Sequence, residues 1–335
     1  MKFAILGCGH IATKMATAVK YLEKKGMGVE AYAVASRTKE KADDFAQKYG
    51  FQKSYGSYLE LVQDPQVDLV YVATPHSEHY ESAKLCINAG KNVLVEKPFC
   101  ANAVQSFEVI ALAKEKNVFL SEAMWTRFLP AVDMLKEWII AGRIGKVETI
   151  EADFSMNLTH VERLCNPALA GGALLDLGIY SLTFADLFLS DPRIAGEGNS
   201  IVKTESKSIL YETGVDATDW INLVYKNGQY AYLKTSMIAP THNVGIIYGT
   251  AGFIRVQNLN DMVELQVYNK SGALYKTVTP PKLVNCYEYE VLACKDALER
   301  GLRECQQIPH EKTMQFMKWM DSLRVNWGVV YPFEK

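Results

Sequence analysis

The sequence predicts an α/β fold: a doubly wound parallel sheet first, then an α+β domain with a large, mostly antiparallel open sheet. Up to about residue 122, apolar segments of strand length alternate with helical segments, the order of a parallel sheet covered by helices. From about residue 201 to 278 the chain instead shows successive strand patterns, several of them separated by short turns. At 335 residues, the chain is long for one domain. We therefore predict two domains, residues 1–122 and 123–335.

The composition is that of an ordinary soluble globular protein, with 49% hydrophobic and 22% charged residues. A formal net charge of −2 argues against a general nucleic-acid or membrane-surface binder. We expect no signal peptide in front of a strand that starts at Lys2, and no apolar stretch long enough to span a bilayer. Seven scattered cysteines without a Cys-x-x-Cys pair favour free thiols in a cytoplasmic protein.

The first 37 residues have the order strand, glycine turn, helix, strand. Gly7 allows a tight turn, Gly9 lets the backbone approach a pyrophosphate, and the small Ala12 lets helix and strand pack closely. The start of the helix then presents free N–H groups and a positive dipole end to the phosphates. This order predicts a Rossmann dinucleotide-binding domain, in which His10 and Ile11 also contact the cofactor. A tight strand–helix turn without a ligand is the alternative.

The end of the second strand predicts which nicotinamide cofactor is used. NAD-specific sites carry an acidic residue there, whereas this chain has Ser36, Arg37 and Thr38. An arginine can make a forked contact with a 2′-phosphate, and Lys41 adds positive charge one helical turn further on. We therefore expect NADP to be preferred over NAD. The alternative is that Arg37 is only a solvated residue at a helix start.

The alternation of elements continues to about residue 122. The predicted strands cover residues 2–6, 29–35, 52–54, 68–73, 92–95 and 118–120, and the predicted helices cover residues 11–25, 38–49, 58–63, 77–89 and 103–116. In a doubly wound sheet, ligands bind at the edge formed by the carboxyl ends of the strands. The residues expected around this crevice are Gly7, Ser36, Ala73, Thr74, Glu96, Lys97 and Glu122.

Three residues are candidates for proton chemistry. Lys97, in the Glu96-Lys97-Pro98 motif at a strand end, could stabilise an alkoxide-like transition state. Asp176 and Tyr180 are four residues apart on a predicted helix and would share one face. A nearby cation would lower the pKa of the tyrosine, so that it could accept a hydroxyl proton. The alternatives are a surface lysine, a helix-surface aspartate and a core tyrosine.

Two further stretches lie near the predicted crevice. Trp125 and Arg127, at the junction of the two domains, could border the nicotinamide or could only pack the junction. Pro75, His76 and His79 follow the strand that ends at residue 73. The two histidines could suggest a metal pair, but only two candidate ligands lie close together. We therefore predict cofactor or loop contacts and no metal site.

The second domain is predicted to be helix and strand followed by a long antiparallel sheet. The predicted helices cover residues 130–141, 173–189, 285–299 and 310–326, and the predicted strands cover residues 147–156, 208–211, 219–225, 229–236, 243–249, 252–257, 263–268 and 273–278. Several strands are rich in Tyr, Ile and Val, and such a sheet can leave one face for a partner. We expect a homodimer through that face, with a plain solvated face as the alternative.

These motifs, in this order, resemble the glucose–fructose oxidoreductase/inositol dehydrogenase (Gfo/Idh/MocA) family. The resemblance rests on the Gly7–Ala12 turn, Ala73-Thr74-Pro75 with His79, Glu96-Lys97-Pro98, and Gly172 through Tyr180, and it covers essentially the whole chain. It implies pyridine-nucleotide-dependent oxidation of an alcohol, with Lys97 and Tyr180 as the catalytic pair and Asp176 as their partner. The usual family motif has a histidine where this chain has Tyr180, so the base would be a tyrosine.

Two classes of function follow. The first is an NADP-dependent enzyme that acts on a cyclic diol, sugar or other polyol. The second is an NADP(H)-binding regulator that keeps the fold without turnover. Because a regulator would not need Lys97, Asp176 and Tyr180 together, the sequence favours the enzyme.

Overall fold

The structure is a computed structural model that describes residues 1–334. The chain forms two compact units. The first contains residues 1–128 and 282–321, and the second contains residues 129–281 and 322–334. This division differs from the predicted domains, 1–122 and 123–335. The first unit extends to residue 128, and residues 282–321 belong with the N-terminal part of the chain.

A six-stranded parallel sheet forms the centre of the first unit, with the strand order β3-β2-β1-β4-β5-β6. Its strands are β1 (Lys2–Leu6), β2 (Glu30–Ala35), β3 (Lys53–Tyr55), β4 (Leu69–Val72), β5 (Asn92–Glu96) and β6 (Leu120–Ala123). Its N-terminal helices are α1 (His10–Lys24), α2 (Lys39–Tyr49), α3 (Tyr58–Gln63), α4 (His79–Asn88) and α5 (Ala103–Lys116). The predicted doubly wound order is confirmed, since β1, β4 and β5 are buried almost throughout, as strands covered on both faces must be.

The last strand of this sheet explains why C-terminal residues belong to the first unit. β6 begins at Leu120, two residues after the predicted start, and the Leu120 N–H donates to the Arg303 carbonyl at 2.9 Å. His310 Nε2 lies 2.8 Å from the Leu120 carbonyl oxygen. These contacts join positions more than 180 residues apart, so no local pattern could have predicted them.

The second unit is built on an eight-stranded sheet with the order β14-β13-β12-β11-β7-β10-β9-β8. Its strands are β7 (Val147–Ser155), β8 (Ile201–Leu210), β9 (Asp216–Tyr225), β10 (Tyr230–Ser236), β11 (Val244–Gly249), β12 (Gly252–Gln257), β13 (Glu264–Asn269) and β14 (Leu274–Val278). All neighbours are antiparallel except β7 and β10, which are parallel. The predicted large, mostly antiparallel sheet is therefore confirmed.

The remaining helices complete the two units. They are α6 (Pro130–Ile140), α7 (Glu162–Cys165), α8 (Ile179–Leu189), α9 (Pro192–Ala195), α10 (Tyr287–Glu299) and α11 (His310–Trp327). The first unit contains α10 and residues 310–321 of α11. The helix predicted over residues 173–189 is in fact a π-helical turn, Leu174–Gly178, that runs into α8. Such turns are rare and occur often at functional sites.

One stretch of the described residues has the length and composition of a membrane-crossing helix, contrary to the expectation from the sequence. It is Pro167–Leu189, which is 23 residues long and has a mean hydropathy of 1.4. Of its most apolar window, 89% is buried inside the protein. Every residue of α8 is buried, so its largely apolar composition is that of a core helix that packs on all sides.

Candidate active site

The glycine turn after β1 is closed by main-chain contacts. Gly7 has a φ of +105°, and a Cβ at this position would lie 2.8 Å from the Ala73 carbonyl oxygen. The Gly7 N–H donates to the Ala35 carbonyl at 2.9 Å. Both the left-handed backbone and the close approach of residue 73 therefore require glycine here.

Gly9 is a glycine for a different reason. Its φ of −84° and ψ of −173° are open to any residue, and the protein atom nearest to a Cβ there would be 3.9 Å away. No side chain caps the start of α1, and its first turn contains no acidic residue. Packing within the protein thus does not demand glycine, whereas close approach of a pyrophosphate to these N–H groups would. The residues at this turn fit a dinucleotide.

The end of β2 adds positive charge beside that turn. Ser36 is buried and its N–H donates to the Tyr55 carbonyl at 3.2 Å, while Arg37 and Thr38 are exposed. Burial raises the pKa of the Cys8 thiol in the glycine turn, and the charge of Lys41 opposes that rise. Arg37 and Lys41 are therefore exposed cations at this corner of the sheet, where they fit an anionic group.

The loop after β4 is held by a histidine. His79 is fully buried, and its Nδ1 lies 2.8 Å from the Pro98 carbonyl oxygen and its Nε2 2.9 Å from that of Thr74. The His76 ring is also buried, with its centroid 5.8 Å from that of His79. Both His79 nitrogens thus contact the main chain, so this side chain joins the loops after β4 and β5. Ala73 and the Thr74 side chain are buried, whereas Pro75 and Glu78 are exposed.

The Glu96 carboxylate at the end of β5 accepts hydrogen bonds from two nearby residues. The Tyr71 hydroxyl donates to Glu96 Oε1, and the Lys97 N–H donates to Glu96 Oε2 at 3.0 Å. Burial, and after it the Glu96 charge, raises the pKa of Tyr71 well above its ordinary value. Glu96 therefore fixes the strand end from which the half-buried Lys97 departs.

Glu122 lies in one electrostatic neighbourhood with two predicted site residues, Lys97 and Arg127. It accepts hydrogen bonds from the Phe99 N–H at 3.2 Å and the Thr313 hydroxyl at 2.8 Å. Burial raises the pKa of its carboxyl, while the Thr313 hydrogen bond and the charges of Arg127 and Lys97 oppose that rise. Lys97 and Arg127 thus both act on this buried acid.

The short 3-10 turn Trp125–Phe128 is packed by C-terminal residues of the same unit. The Trp125 ring stacks on Tyr287 with centroids 4.9 Å apart and an interplanar angle of 12°. The Arg127 guanidinium lies 5.0 Å from the centre of the Phe316 ring. Both residues are buried, so they have a packing role within the first unit. The predicted cofactor contacts of Trp125 and Arg127 stay a prediction.

The second unit holds the other two catalytic candidates. Arg163 Nη1 and Nη2 lie 3.2 and 3.3 Å from Asp176 Oδ1, so one guanidinium holds this carboxylate. Tyr180 is buried, and its ring centroid lies 5.0 Å from that of Phe154. Asp176 lies in the π-helical turn, and Tyr180 is the second residue of α8. Lys97 belongs to the first unit, so its pairing with Tyr180 stays a prediction.

Sequence reasoning missed Arg163, which lies 13 residues before Asp176 in a different helix. It also missed Asp216, whose carboxylate binds the first N–H of the π-helical turn. Neither residue belongs to a motif, and each reaches the site through tertiary structure. Residues 1–334 contain no group of three or more His, Cys, Asp or Glu side chains placed to hold a metal ion.

A parallel six-stranded sheet with an uncapped glycine turn after its first strand defines the class of dinucleotide-binding proteins. Comparison with known families agrees with this class. The model of the oxidoreductase family with an NAD-binding Rossmann fold matches residues 1–124, and that of the GFO/IDH/MocA C-terminal domain matches residues 132–255.

Full-length relatives extend the match. The trans-1,2-dihydrobenzene-1,2-diol dehydrogenase of Mus musculus is 34% identical over 100% of this chain and 99% of its own length. That of Homo sapiens is 33% identical over the same shares of the two chains. The chain therefore belongs to the GFO/IDH/MocA family of oxidoreductases, and it is an NAD(P)-dependent dehydrogenase.

Solved structures share the fold at low sequence identity. A 3-ketoreductase from Actinomadura kijaniata, in complex with NADP and TDP-benzene, superposes with a TM-score of 0.84 at 22% identity and 97% coverage of both chains. An aldose-aldose oxidoreductase from Caulobacter crescentus, complexed with glycerol, gives 0.81 at 22% identity, covering 97% of this chain and 96% of that one. At such identities the likeness establishes the fold alone.

Proposed function

We propose that this protein is an NADP-dependent dehydrogenase that oxidises a CH–OH group of a cyclic diol, sugar or related polyol, or reduces the matching carbonyl. The observation that carries the proposal is the Gly9 turn, open to a pyrophosphate, in a chain that also retains Lys97, Asp176 and Tyr180. The full-length relatives named as dihydrodiol dehydrogenases support the diol as the substrate class.

The proton chemistry belongs to Lys97 and Tyr180. A bound nicotinamide supplies the acceptor or donor of the hydride. Tyr180 accepts the proton of the substrate hydroxyl as the hydride leaves the same carbon, and returns it in the reverse direction. A tyrosine is a poor base at its free pKa of about 10, and the Lys97 ammonium lowers that pKa by favouring the phenolate.

Asp176 orients this pair in the proposal. The Arg163 guanidinium binds one oxygen of its carboxylate. Such a charge-assisted contact keeps a carboxylate ionised and in a fixed orientation. Asp176 can then accept a hydrogen bond from the Lys97 ammonium or from a substrate hydroxyl.

NADP is the proposed cofactor because the end of β2 carries no carboxylate. Arg37 and Thr38 are exposed there, and Ser36 leads into them from the buried strand. A guanidinium forms forked, charge-assisted hydrogen bonds with phosphate, so the 2′-phosphate gains a partner that the ribose of NAD does not use. Glu40 is the acidic residue in the first turn of α2, and in this proposal its side chain points along the helix, away from the 2′-phosphate.

The proposed assembly is a homodimer through the open face of the eight-stranded sheet. Alternate residues of its central strands are buried, as Ala231 and Leu233 are on β10, while Tyr232 between them is 49% exposed. Trp220, on the neighbouring strand β9, is 38% exposed and lines the same shallow groove as Tyr232 and Ile246. The groove also contains Glu151, Asp153 and Lys234, and its aromatic and aliphatic side chains fit a second copy of the same face. We also propose a cytoplasmic location, which the free thiols of all seven cysteines support.

Turnover with a substrate panel tests the proposed function. The purified protein is incubated with NADP or NAD and a panel of cyclic diols, aldoses and inositols, and nicotinamide absorbance is followed. We expect reduction of NADP with at least one member of the panel, and a lower kcat/KM with NAD. The matched control is Lys97→Met, which should remove the signal while cofactor binding persists.

A regulator without turnover would give a different result. It would bind NADP(H) in a titration but show neither reduction nor oxidation with any alcohol or carbonyl of the panel. That outcome would contradict the dehydrogenase and favour the NADP(H)-binding module. A wild-type preference for NAD would contradict only the cofactor part of the proposal.

A further inference from the structure

The turn that carries Asp176 is anchored by a pair of buried aspartates. Asp216 and Asp219 both lie on β9 and both have no exposed surface. Three residues apart, they would normally point to opposite faces of a strand. The pairing of β9 with β8 shifts by one residue here. Ile209 faces Thr218, but the next residue, Leu210, faces Asp216. This bulge changes the alternation and re-aims side chains, as bulges near functional sites do.

The two carboxyls use one oxygen each for known donors. Asp216 Oδ2 accepts the Leu174 N–H at 2.5 Å, and Asp219 Oδ1 accepts the Ser208 hydroxyl at 2.7 Å. Leu174 is the first residue of the π-helical turn, where a helix N–H has no partner within the helix. Gly172 has a φ of +119°, and a Cβ there would lie 2.2 Å from Asp216 Oδ1. The chain just before the turn therefore passes directly over this carboxyl.

The other two oxygens lack a donor among the described residues. They are Asp216 Oδ1 and Asp219 Oδ2, and both are buried. Burial raises the pKa of Asp216, against the Leu174 N–H and the charge of Arg324. Burial, and then the Asp216 charge, raises the pKa of Asp219 well above its ordinary value. A single proton between the two carboxyls supplies the missing donor and avoids two adjacent buried charges.

We propose that Asp216 and Asp219 share one proton and act as a positioning pair, which fixes the turn Leu174–Gly178 and through it Asp176 and Tyr180. The Leu174 N–H donates a charge-assisted hydrogen bond to the ionised Asp216. The protonated Asp219 carboxyl donates a second hydrogen bond to Asp216 and fixes its orientation. Neither residue touches the substrate. The positioning role in catalysis rests on the proposed function, whereas the anchoring of the turn does not.

The C-terminal tail braces the same loop from another element. The Tyr331 hydroxyl donates to the Gly171 carbonyl at 2.7 Å. The guanidinium of the buried Arg324 lies 4.3 Å from the centre of the Tyr331 ring and binds Glu334 at 2.9 Å. Residues 171–174 are thus held by β9 on one side and by the tail on another, which is the arrangement expected where a turn must keep an exact geometry.

Hydrogen exchange and kinetics of two variants test the pair. Asp216→Ala removes the acceptor of the Leu174 N–H, so we expect faster amide exchange in peptides covering residues 172–180. We expect kcat to fall roughly 10²-fold, the cost of a misplacement of about 1 Å, with little change in KM for NADP. Asp219→Asn is the matched control, since its amide N–H replaces the shared proton and should preserve exchange and kcat.

Each result decides a separate part of the proposal. A folded Asp216→Ala protein with wild-type exchange over residues 172–180 would overturn the anchor. Infrared difference spectra of Asp219→Asn against wild type should show the loss of one protonated carboxyl band at neutral pH. A retained band would overturn the shared proton. This measurement does not depend on whether Asp216→Ala folds. Exchange and infrared need no turnover, so they still decide if the wild type proves inactive and the proposed function fails.

Discussion

At the scale of single residues, the proposed chemistry depends on two groups that act together, an ammonium and a phenol. Lys97 is half-buried next to Glu96, and Tyr180 is buried against Phe154. A cation lowers the pKa of a nearby phenol, and a phenol that is never deprotonated cannot act as a base. The two residues should therefore behave as one unit in mutational kinetics.

Tyr180→Phe should lose most of kcat while NADP still binds. Loss of a general base costs roughly 10²–10⁴-fold, and Lys97→Met should give a comparable loss. The two losses should not add in the double variant, because each single change already disables the unit. Steady-state kinetics and NADP titration of the three variants measure this. Near-normal turnover of Tyr180→Phe would exclude the tyrosine, and additive losses would separate the two roles.

The proposed preference for NADP also depends on a single residue, Arg37, which is exposed at the end of β2. Arg37→Ala should weaken NADP binding by about 1.5–3 kcal/mol, the range for hydrogen bonds to charged groups, and leave NAD nearly unchanged. Calorimetric titration of both cofactors measures the difference. Lys48→Ala, in the last turn of the same helix α2, is the control for a general loss of positive charge. Equal losses for NADP and NAD would mean that the end of β2 has been misinterpreted.

At the scale of elements, one aspartate joins β2, β3 and the end of α3. Asp64 Oδ2 accepts hydrogen bonds from Tyr32 at 3.0 Å, Tyr55 at 2.6 Å and Lys53 at 2.8 Å. Burial alone would raise the pKa of Asp64, but the Lys53 and Tyr55 hydrogen bonds hold it well below the ordinary value. The Gln66 N–H adds a further contact at 2.9 Å.

Asp64→Asn should destabilise the first unit at neutral pH by about 1.5–3 kcal/mol, the range for hydrogen bonds to a charged group. Because the folded-state pKa of Asp64 lies below the unfolded value of about 3.9, its contribution is complete above that value and is lost as the pH falls further. Denaturant unfolding of both proteins between neutral and acidic pH measures this. Asp44→Asn, an exposed residue of α2, is the control. A stability difference that stays constant down to the acid limit would contradict the assignment.

At the scale of the whole molecule, the open face of the second sheet is where a second copy would bind. Tyr232→Glu should convert the proposed dimer into a monomer, since it replaces an aromatic contact of the interface with a charge that faces Glu151 on β7 and would have to be desolvated. Light scattering at micromolar concentration measures the mass. Val104→Glu changes an apolar residue of α5 that is 68% exposed and should leave the mass unchanged. A wild-type monomer at that concentration would contradict the dimer.

The sequence alone was enough to predict the first sheet, the glycine turn and the bounds of many elements. Strand β1 and helices α3 and α5 begin and end at the predicted residues, because local apolar periodicity, caps and breakers act within a few positions. Gly7 could be interpreted from its motif, since its left-handed φ and its approach to residue 73 are the reasons the motif contains glycine.

Tertiary structure decided what surrounds the catalytic candidates. The hold of Arg163 on Asp176, of Asp216 on Leu174 and of Tyr331 on Gly171 links positions 13, 42 and 160 residues apart. The bulge in β9 that aims Asp216, the π-helical turn, and the return of residues 282–321 to the first unit leave no local signal. Local patterns record how each segment buries its own side chains, whereas these contacts exist only because distant buried polar groups must satisfy one another once the chain has folded.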